Sequence, residues 1–516
     1  GQHRIHENKH KITYTLHLYC NSNSRNETTK RLILGVNIVV MQQVFEKRAE
    51  EVESILPAIH FTPGTGNLYL ALTALANLLG RPGFEPYYMK NSLKKLFSKT
   101  RAPSDPLSIL CNIRRWALNG LRDMDLILKL EGQGRLFTTS PTDEGPRTTS
   151  GSRSLTAKQA RYVLANAFIG NCIDRMAAFK DERNYGGLDF REMLLAYDNS
   201  DYGGLEFVGP AKMECLLTYF DVCSSLEGKN DDERVITFEL ISFIPLSAEY
   251  FQSSQVLCGN DALVGEGVTL HTGTMESPSR KYTAFINFAN PNYGYGKFTR
   301  SCTQEEILLM CCPELMVGML FLGKMKDNQV VNVNGVRRFC KYSGYLNSFK
   351  CEGPLDSTDE QPISTILTLD ACYDRHFTEA MLWRDLSKAY FSFLRLTAGS
   401  EQHEGGDRPV VSTGKWGCGA FGGLPAHKML QQAVPAAAAG VGLEFSSFGS
   451  YEGCDKVIVA LRETRPSVAK VINLLQNCKS RRTFVCDAVR FLHDEQVASQ
   501  GQTTAKQISN MQCDWV

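Results

Sequence analysis

The chain has 516 residues and a mass of 57.6 kDa, and it is 43% hydrophobic and 22% charged. That balance excludes wholesale disorder, a collagen-like repeat and a coiled coil. Lys and Arg number 56 against 55 Asp and Glu, a net +1, so no global field recruits nucleic acid or anionic lipid, and a polyanionic ligand needs a local site.

Residues 1–40 carry no charged-then-apolar leader with a small-residue cleavage site. Met41 opens a far better helix over 42–55, so 1–40 is left unassigned and expected to lie outside the folded protein. Residues 41–137 read as a helical accessory region broken by Thr62-Pro63-Gly64-Thr65-Gly66 and Arg81-Pro82-Gly83. Between those breaks Leu68, Leu72, Leu75 and Leu79 recur at helical spacing. The lysines of 90–99 fit the solvated face of a helix. Residues 138–154 are small, polar and turn-forming, which predicts a linker. Thr156 is a good N-cap for a helix over 157–168, opening a second helical accessory domain over 155–234.

From 235 the pattern changes. The apolar runs 235–238, 284–289, 365–369, 443–448 and 456–461 predict buried strands, separated by helices over 305–322, 378–394 and 427–439, the last kinked at Pro435. Alternating strands and helices predict an α/β domain over 235–490 with a parallel or mixed central sheet, followed by a tail over 491–516. The apolar stretch 433–443 falls short of the ~18 residues of a spanning helix, so no membrane partner is expected. The 17 cysteines include no C-x-x-C pair and the 10 histidines show no ligand-like spacing; reduced thiols and no metal are expected.

Ligands of such sheets sit beyond the carboxyl ends of strands, and two loops there are glycine-rich. The first runs from Asn290 through Gly294-Tyr295-Gly296 to Gln304-Glu305-Glu306. The second is Gly414-Lys415-Trp416-Gly417-Cys418-Gly419-Ala420-Phe421-Gly422-Gly423. A glycine-rich turn ahead of a helix offers N–H groups and a positive dipole end to phosphate. Neither loop is a Walker A or a G-x-G-x-x-G. Paired carboxylates beside such a cradle suit glycosidic acid–base work if partly desolvated, because burial raises a carboxyl pKa; alternatively they are helix-dipole partners.

Gln304-Glu305-Glu306, preceded by Phe288-Ala289-Asn290 and followed by Pro313-Glu314-Leu315, resembles the signature of the poly(ADP-ribose) glycohydrolase family. Trp416 to Gly423 resembles that family's second loop, Tyr342-Ser343-Gly344-Tyr345 its tyrosine clamp, and Phe445-Ser446-Ser447-Phe448-Gly449 its late strand. The resemblance runs over roughly 155–460. It implies a macrodomain-like mixed central sheet flanked by helices, and hydrolysis of the ribose–ribose bonds of poly(ADP-ribose) without a cofactor. It further implies that Glu306 is the general acid and that Glu305 and Asn290 hold ribose hydroxyls. Gly294, Tyr295 and Gly296 would cradle the diphosphate, supported by Gln304 and by Gly419, Ala420 and Gly422. Tyr345 and Phe448 would flank adenosine, Glu276 would read adenine, and Phe421 would pack near the distal ribose. Implied partners are ADP-ribose, its polymer and poly(ADP-ribosyl)ated proteins, without direct nucleic-acid contact, in nucleus and cytoplasm.

Three departures stand out. Tyr295 occupies the middle of the family's triple glycine, Ser301 replaces a later glycine, and Asn287, placed with the catalytic group, stands where the family has an acidic residue. Asn cannot carry that charge. Three readings therefore stand open: an active glycohydrolase, an impaired relative that binds ADP-ribose or its polymer, and a structural protein retaining the fold.

Overall fold

The computed structural model describes residues 68–79, 86–99, 104–122, 140–141, 148–170, 188, 190–195, 208–247, 263–265, 267–276, 281–294, 302–355, 363–397 and 408–499. The segment 1–40, the helix read over 42–55, and Tyr295, Gly296 and Ser301 lie outside these residues.

Helices α1 (Leu68–Leu79), α2 (Pro86–Lys99) and α3 (Pro106–Arg122) precede β1 (Ser140–Pro141) and β2 (Thr148–Thr156). Next come α4 (Ala157–Phe168), α5 (Arg191–Leu195), α6 (Val208–Leu226), β3 (Val235–Phe243), β4 (Val268–His271) and β5 (Ala284–Ala289). Helix α7 (Gln304–Cys311) runs into a 3-10 helix (Pro313–Leu320), then β6 (Gln329–Arg337), the hairpin β7 (Cys340–Ser343) and β8 (Lys350–Pro354), and β9 (Ile363–Asp370). Last come α8 (Glu379–Thr397), β10 (Val410–Gly414), α9 (Pro425–Ala438), β11 (Gly442–Ser446), α10 (Cys454–Thr464), α11 (Val468–Asn477) and α12 (Phe484–Ser499).

The described strands form a mixed sheet in the order β1-β2-β3-β6-β9-β5-β10-β11-β4. The half from β9 to β4 is parallel, and β1, β2, β3 and β6 join it antiparallel. Alternation along each strand sends side chains to two cores. Phe285, Val331 and Phe238 pack with Trp116 of α3, Leu164 of α4 and Phe220 of α6. Their neighbours Ile286 and Val330 pack on the opposite face with Leu386 of α8, Leu430 of α9 and Val471 of α11. Burial on both faces explains why β5 begins as the unbroken apolar run Ala284-Phe285-Ile286. Helices α3, α4 and α6, read from sequence as an accessory region and an accessory domain, thus share a core with the sheet.

Several elements differ from expectation. The linker reading of 138–154 is corrected: Thr148 to Thr156 pair residue by residue with Phe243 to Val235. Ser and Thr tolerate extended backbone, but without an apolar alternation this strand looks like a turn-rich loop. The run 456–461 is not a strand; it lies in α10, where Val457, Ile458 and Leu461 are buried while Val459 is 51% exposed, a helical period. The helix read over 305–322 changes to 3-10 at Pro313, which cannot donate to an α-helical ladder. Helix α12 crosses the expected start of the tail at 491. Thr156 caps α4 as expected, in a reciprocal box with Gln159.

Beneath the carboxyl end of β9 lies a buried ion network. Lys388 Nζ donates to Asp370 Oδ1 at 2.7 Å and to the carbonyls of Lys326 and Gln329. Arg384 binds Asp370 and Asp385, and Asp385 also pairs with Lys428 of α9. Burial opposes ionisation of Asp385, but Lys428 and Arg384 outweigh it and hold the carboxyl at about 2. The network fixes α8 and α9 against the strand ends that carry the site.

Candidate active site

A cavity of about 510 Å³ opens where the parallel strands end. Ala289 and Asn290 follow β5, Ala371 follows β9, Gly414 and Lys415 end β10, Ser446 and Phe448 end β11, and Thr274 to Glu276 follow β4; all line it. This is the strand-end crevice expected for α/β sheets, and its volume suits one small organic ligand.

The N-terminus of α7 enters this cavity. Gln304 pins it: its Oε1 accepts from the Phe288 amide at 2.7 Å and its Nε2 donates to the Ile286 carbonyl at 2.9 Å, so the side chain spans the end of β5. Glu305 follows with 3% exposure and Glu306 with 4%. Glu305 Oε2 accepts from the Asn290 amide at 2.9 Å, while its Oε1 is buried without a protein partner. Burial, then the Glu306 charge, raises the Glu305 pKa well above the usual carboxylate range against the opposing amides of Asn290 and Gly294. Glu306 Oε2 accepts from the Thr303 amide and hydroxyl at 2.6 and 2.5 Å. Asn290 closes its own turn, its Oδ1 accepting from the Asn292 amide at 3.0 Å.

Gly294 lies just outside the lining, with φ +73°, and a Cβ there would stand 2.7 Å from Met319 Sδ. Only glycine fits that close approach. In the second loop Gly417 has φ +74° and its added Cβ would meet Ala371 Cβ at 2.6 Å. Gly419, Ala420 and Phe421 line the cavity; Gly422 does not, and its carbonyl instead accepts from Arg481. Trp416 is fully buried and donates its indole N–H to the Leu369 carbonyl at 3.0 Å. His376 Nε2 donates from beneath the loop to the Phe421 carbonyl at 2.7 Å, since a carbonyl can only accept, and burial lowers the pKa of the ring.

Tyr345 and Phe448 meet across the mouth with ring centroids 5.6 Å apart. They are 36% and 56% exposed. Phe448 itself has φ +46° and Leu346, next to Tyr345, φ +51°. Left-handed backbone at non-glycine residues costs of order 1–3 kcal/mol and collects at functional sites. The Leu346 amide donates to the Cys302 carbonyl at 2.9 Å, tying the β7–β8 turn to the start of α7. Burial and the nearby Glu306 charge raise the Tyr345 phenol. Glu276 reaches the cavity and hydrogen-bonds the Tyr342 hydroxyl.

Eleven of the fifteen site residues named from sequence therefore have a described position on the cavity or directly behind it (Glu305, Glu306, Asn290, Gly294, Gln304, Glu276, Tyr345, Gly419, Ala420, Phe421, Phe448). Asn287 is corrected. It is 1% exposed, absent from the lining, and its Nδ2 faces Thr368 Oγ1 at 3.5 Å, because alternation along β5 turns it onto the buried face that it shares with its cross-strand partner Thr368. Tyr295 and Gly296 lie outside the described residues. Arg481 is a lining residue that the sequence did not single out; it comes from the turn before α12 and belongs to no motif. Among the described residues one group has metal-like geometry, the buried thiols of Cys215, Cys340 and Cys351 within 4.8 Å of one another. These residues are not part of the cavity lining.

Comparison with known proteins agrees with this geometry. Residues 261–455 match the family of poly(ADP-ribose) glycohydrolase catalytic domains, described as having a macro domain fold. The chain is 28% identical over 267 residues to poly(ADP-ribose) glycohydrolase 1 of Arabidopsis thaliana, covering 48% of this chain and 45% of that protein. It is 28% identical over 215 residues to poly(ADP-ribose) glycohydrolase 1 of Caenorhabditis elegans, covering 37% and 27%. With the probable poly(ADP-ribose) glycohydrolase 2 of Arabidopsis thaliana it shares 25% identity over 332 residues, 53% and 61%. The match thus spans less than two thirds of each of these relatives.

Proposed function

From the match of residues 261–455 to the poly(ADP-ribose) glycohydrolase catalytic family, we propose that this chain is a divergent member of that family, that it hydrolyses the ribose–ribose O-glycosidic bonds of poly(ADP-ribose) and that it releases ADP-ribose. The observation that carries this reading is the pair of buried glutamates at one helix start, both on a cavity the size of one ligand. Glu306 protonates the leaving ribose oxygen and then takes a proton from the attacking water. Glu305 offers its unpartnered Oε1 to a ribose hydroxyl. Asn290 orients the same sugar, and the adjoining rings of Tyr345 and Phe448 flank the adenosine portion. The oxocarbenium-like transition state is stabilised by the carboxylates and the substrate's own diphosphate, so the residues here serve without an added group.

The test is incubation of the chain with labelled poly(ADP-ribose). Release of free ADP-ribose supports the reading, and intact polymer after prolonged incubation contradicts it. Asn287 favours a second reading, binding without turnover, because a neutral amide stands where the family resemblance implies an acid. ADP-ribose that raises the unfolding temperature of a chain unable to release it from polymer would decide for this second reading.

A further inference from the structure

The cavity holds one ADP-ribose-sized ligand, so a polymeric substrate must continue across the surface. Two aromatic pairs stand at its mouth. Tyr345 and Phe448 are assigned above to the bound adenosine. The second pair is Tyr373 and Phe421, with ring centroids 5.4 Å apart and planes at 62°. Phe421 lines the cavity, whereas Tyr373 is outside the lining and 71% exposed. That is the most exposed large hydrophobic side chain among the described residues.

The Tyr373 ring meets Phe421 edge-on. Its neighbour Phe421 is anchored from below by His376 through the Phe421 carbonyl. The Gly422 carbonyl accepts from Arg481 Nη1 at 2.5 Å, which sets a guanidinium on the same rim. Arg375, two residues after Tyr373, has φ +52° and a side chain 70% exposed. Arg375 Nε lies 3.2 Å from the Asp374 carboxylate, an exposed pair of the weak kind that a phosphate can displace, and an exposed aromatic face with arginines on adjoining loops is the chemistry that binds a base joined to a phosphate chain. With a chain charge of only +1, such local cations are the means of engaging a polyanion.

We propose that Tyr373, with Arg375 and Arg481, forms a second subsite that takes the next ADP-ribose unit of the polymer, its adenine on the Tyr373 ring and its diphosphate between the guanidinium groups. This rests on the function proposed above. The subsite gives the protein a preference for oligomers over the monomer that the cavity alone cannot supply.

The experiment is equilibrium binding of ADP-ribose and of an ADP-ribose trimer to the Glu306→Gln chain, alone and combined with Tyr373→Ala or Tyr373→Trp. The expected result is a trimer bound about tenfold more tightly than the monomer, as stacking one base supplies. Tyr373→Ala abolishes that advantage with monomer affinity unchanged, and Tyr373→Trp keeps it. A trimer advantage that survives Tyr373→Ala, or no advantage in the parent chain while the monomer binds, overturns the subsite alone. Absence of monomer binding overturns the proposed function and the subsite with it.

Discussion

Adjacent glutamates on a helix project about 100° apart, and Glu305 and Glu306 use that divergence to reach different partners. Glu306 closes on Thr303, and Glu305 turns toward the Asn290 amide. Their surroundings differ accordingly: burial and then the neighbouring Glu306 charge raise the Glu305 pKa, and Glu306 is held in place by its own helix cap. The clamp residue Tyr345 makes a separate prediction. Its ring is 36% exposed and touches Phe448, and stacking on a purine is worth about 1–3 kcal/mol. Tyr345→Ala should weaken ADP-ribose binding by one to two decades in a calorimetric titration, with little change in unfolding temperature. A variant that loses stability and keeps its affinity would make Tyr345 a packing residue. Most of these residues were legible because they sit in contiguous motifs. Asn287 was misplaced because a motif gives chain position but not which face of a strand a side chain takes.

At the scale of elements, α8 and α9 are held under the site by charges that tolerate little change. Asp385 is fully buried and pairs with Lys428 and Arg384. Asp385→Asn leaves the buried Lys428 without its counter-charge, while Arg384 keeps Asp370, and should cost about 3–5 kcal/mol in denaturant unfolding; a cost under 1 kcal/mol would show the pair to be dispensable. His427 of α9 is also fully buried, between Phe377 and Phe484. Burial first, and the Lys428 charge second, lower its pKa to about 3. The folded value lies below the ordinary ~6.5, so the stabilisation is complete above that value. It is lost as pH falls from about 6.5 toward 3, at up to roughly 1.4 kcal/mol per pH unit. Asp385 adds its own loss only lower, from about 4 toward 2. Unfolding temperatures measured between pH 7 and 4 should fall more steeply for the parent chain than for His427→Leu. Parallel slopes would mean that His427 titrates normally. None of this network was visible in sequence, since Asp385, Arg384, Lys388 and Lys428 on α8 and α9 read as ordinary amphipathic polar positions until the strand ends close over them.

For the whole molecule, the sheet decides what the sequence could reveal. Strands buried on both faces, such as β5 and β9, announce themselves as apolar runs, and the glycine loops at their ends marked the cavity. Strand β2, rich in Ser and Thr, does not, and its antiparallel pairing extends the sheet back beyond the expected start of the α/β domain. The run in α10 misled because five consecutive apolar residues, Val457 to Leu461, fit either period. What the assembled fold adds is convergence. The ends of β5, β9, β10 and β11, distant in sequence, surround the α7 terminus that carries Glu305 and Glu306.

The central claim is that Glu306 supplies the glycosidic proton in this cavity, and release of ADP-ribose from poly(ADP-ribose) by the parent chain and by Glu306→Gln tests it most directly. Glutamine preserves the shape and the hydrogen bonds from Thr303 but cannot donate a carboxylic proton. The account predicts turnover lower by about 10²–10⁴-fold, with ADP-ribose affinity nearly unchanged. Equal turnover in the two proteins would contradict it, and a collapse seen only in Glu305→Gln would transfer the proton to the neighbouring carboxyl.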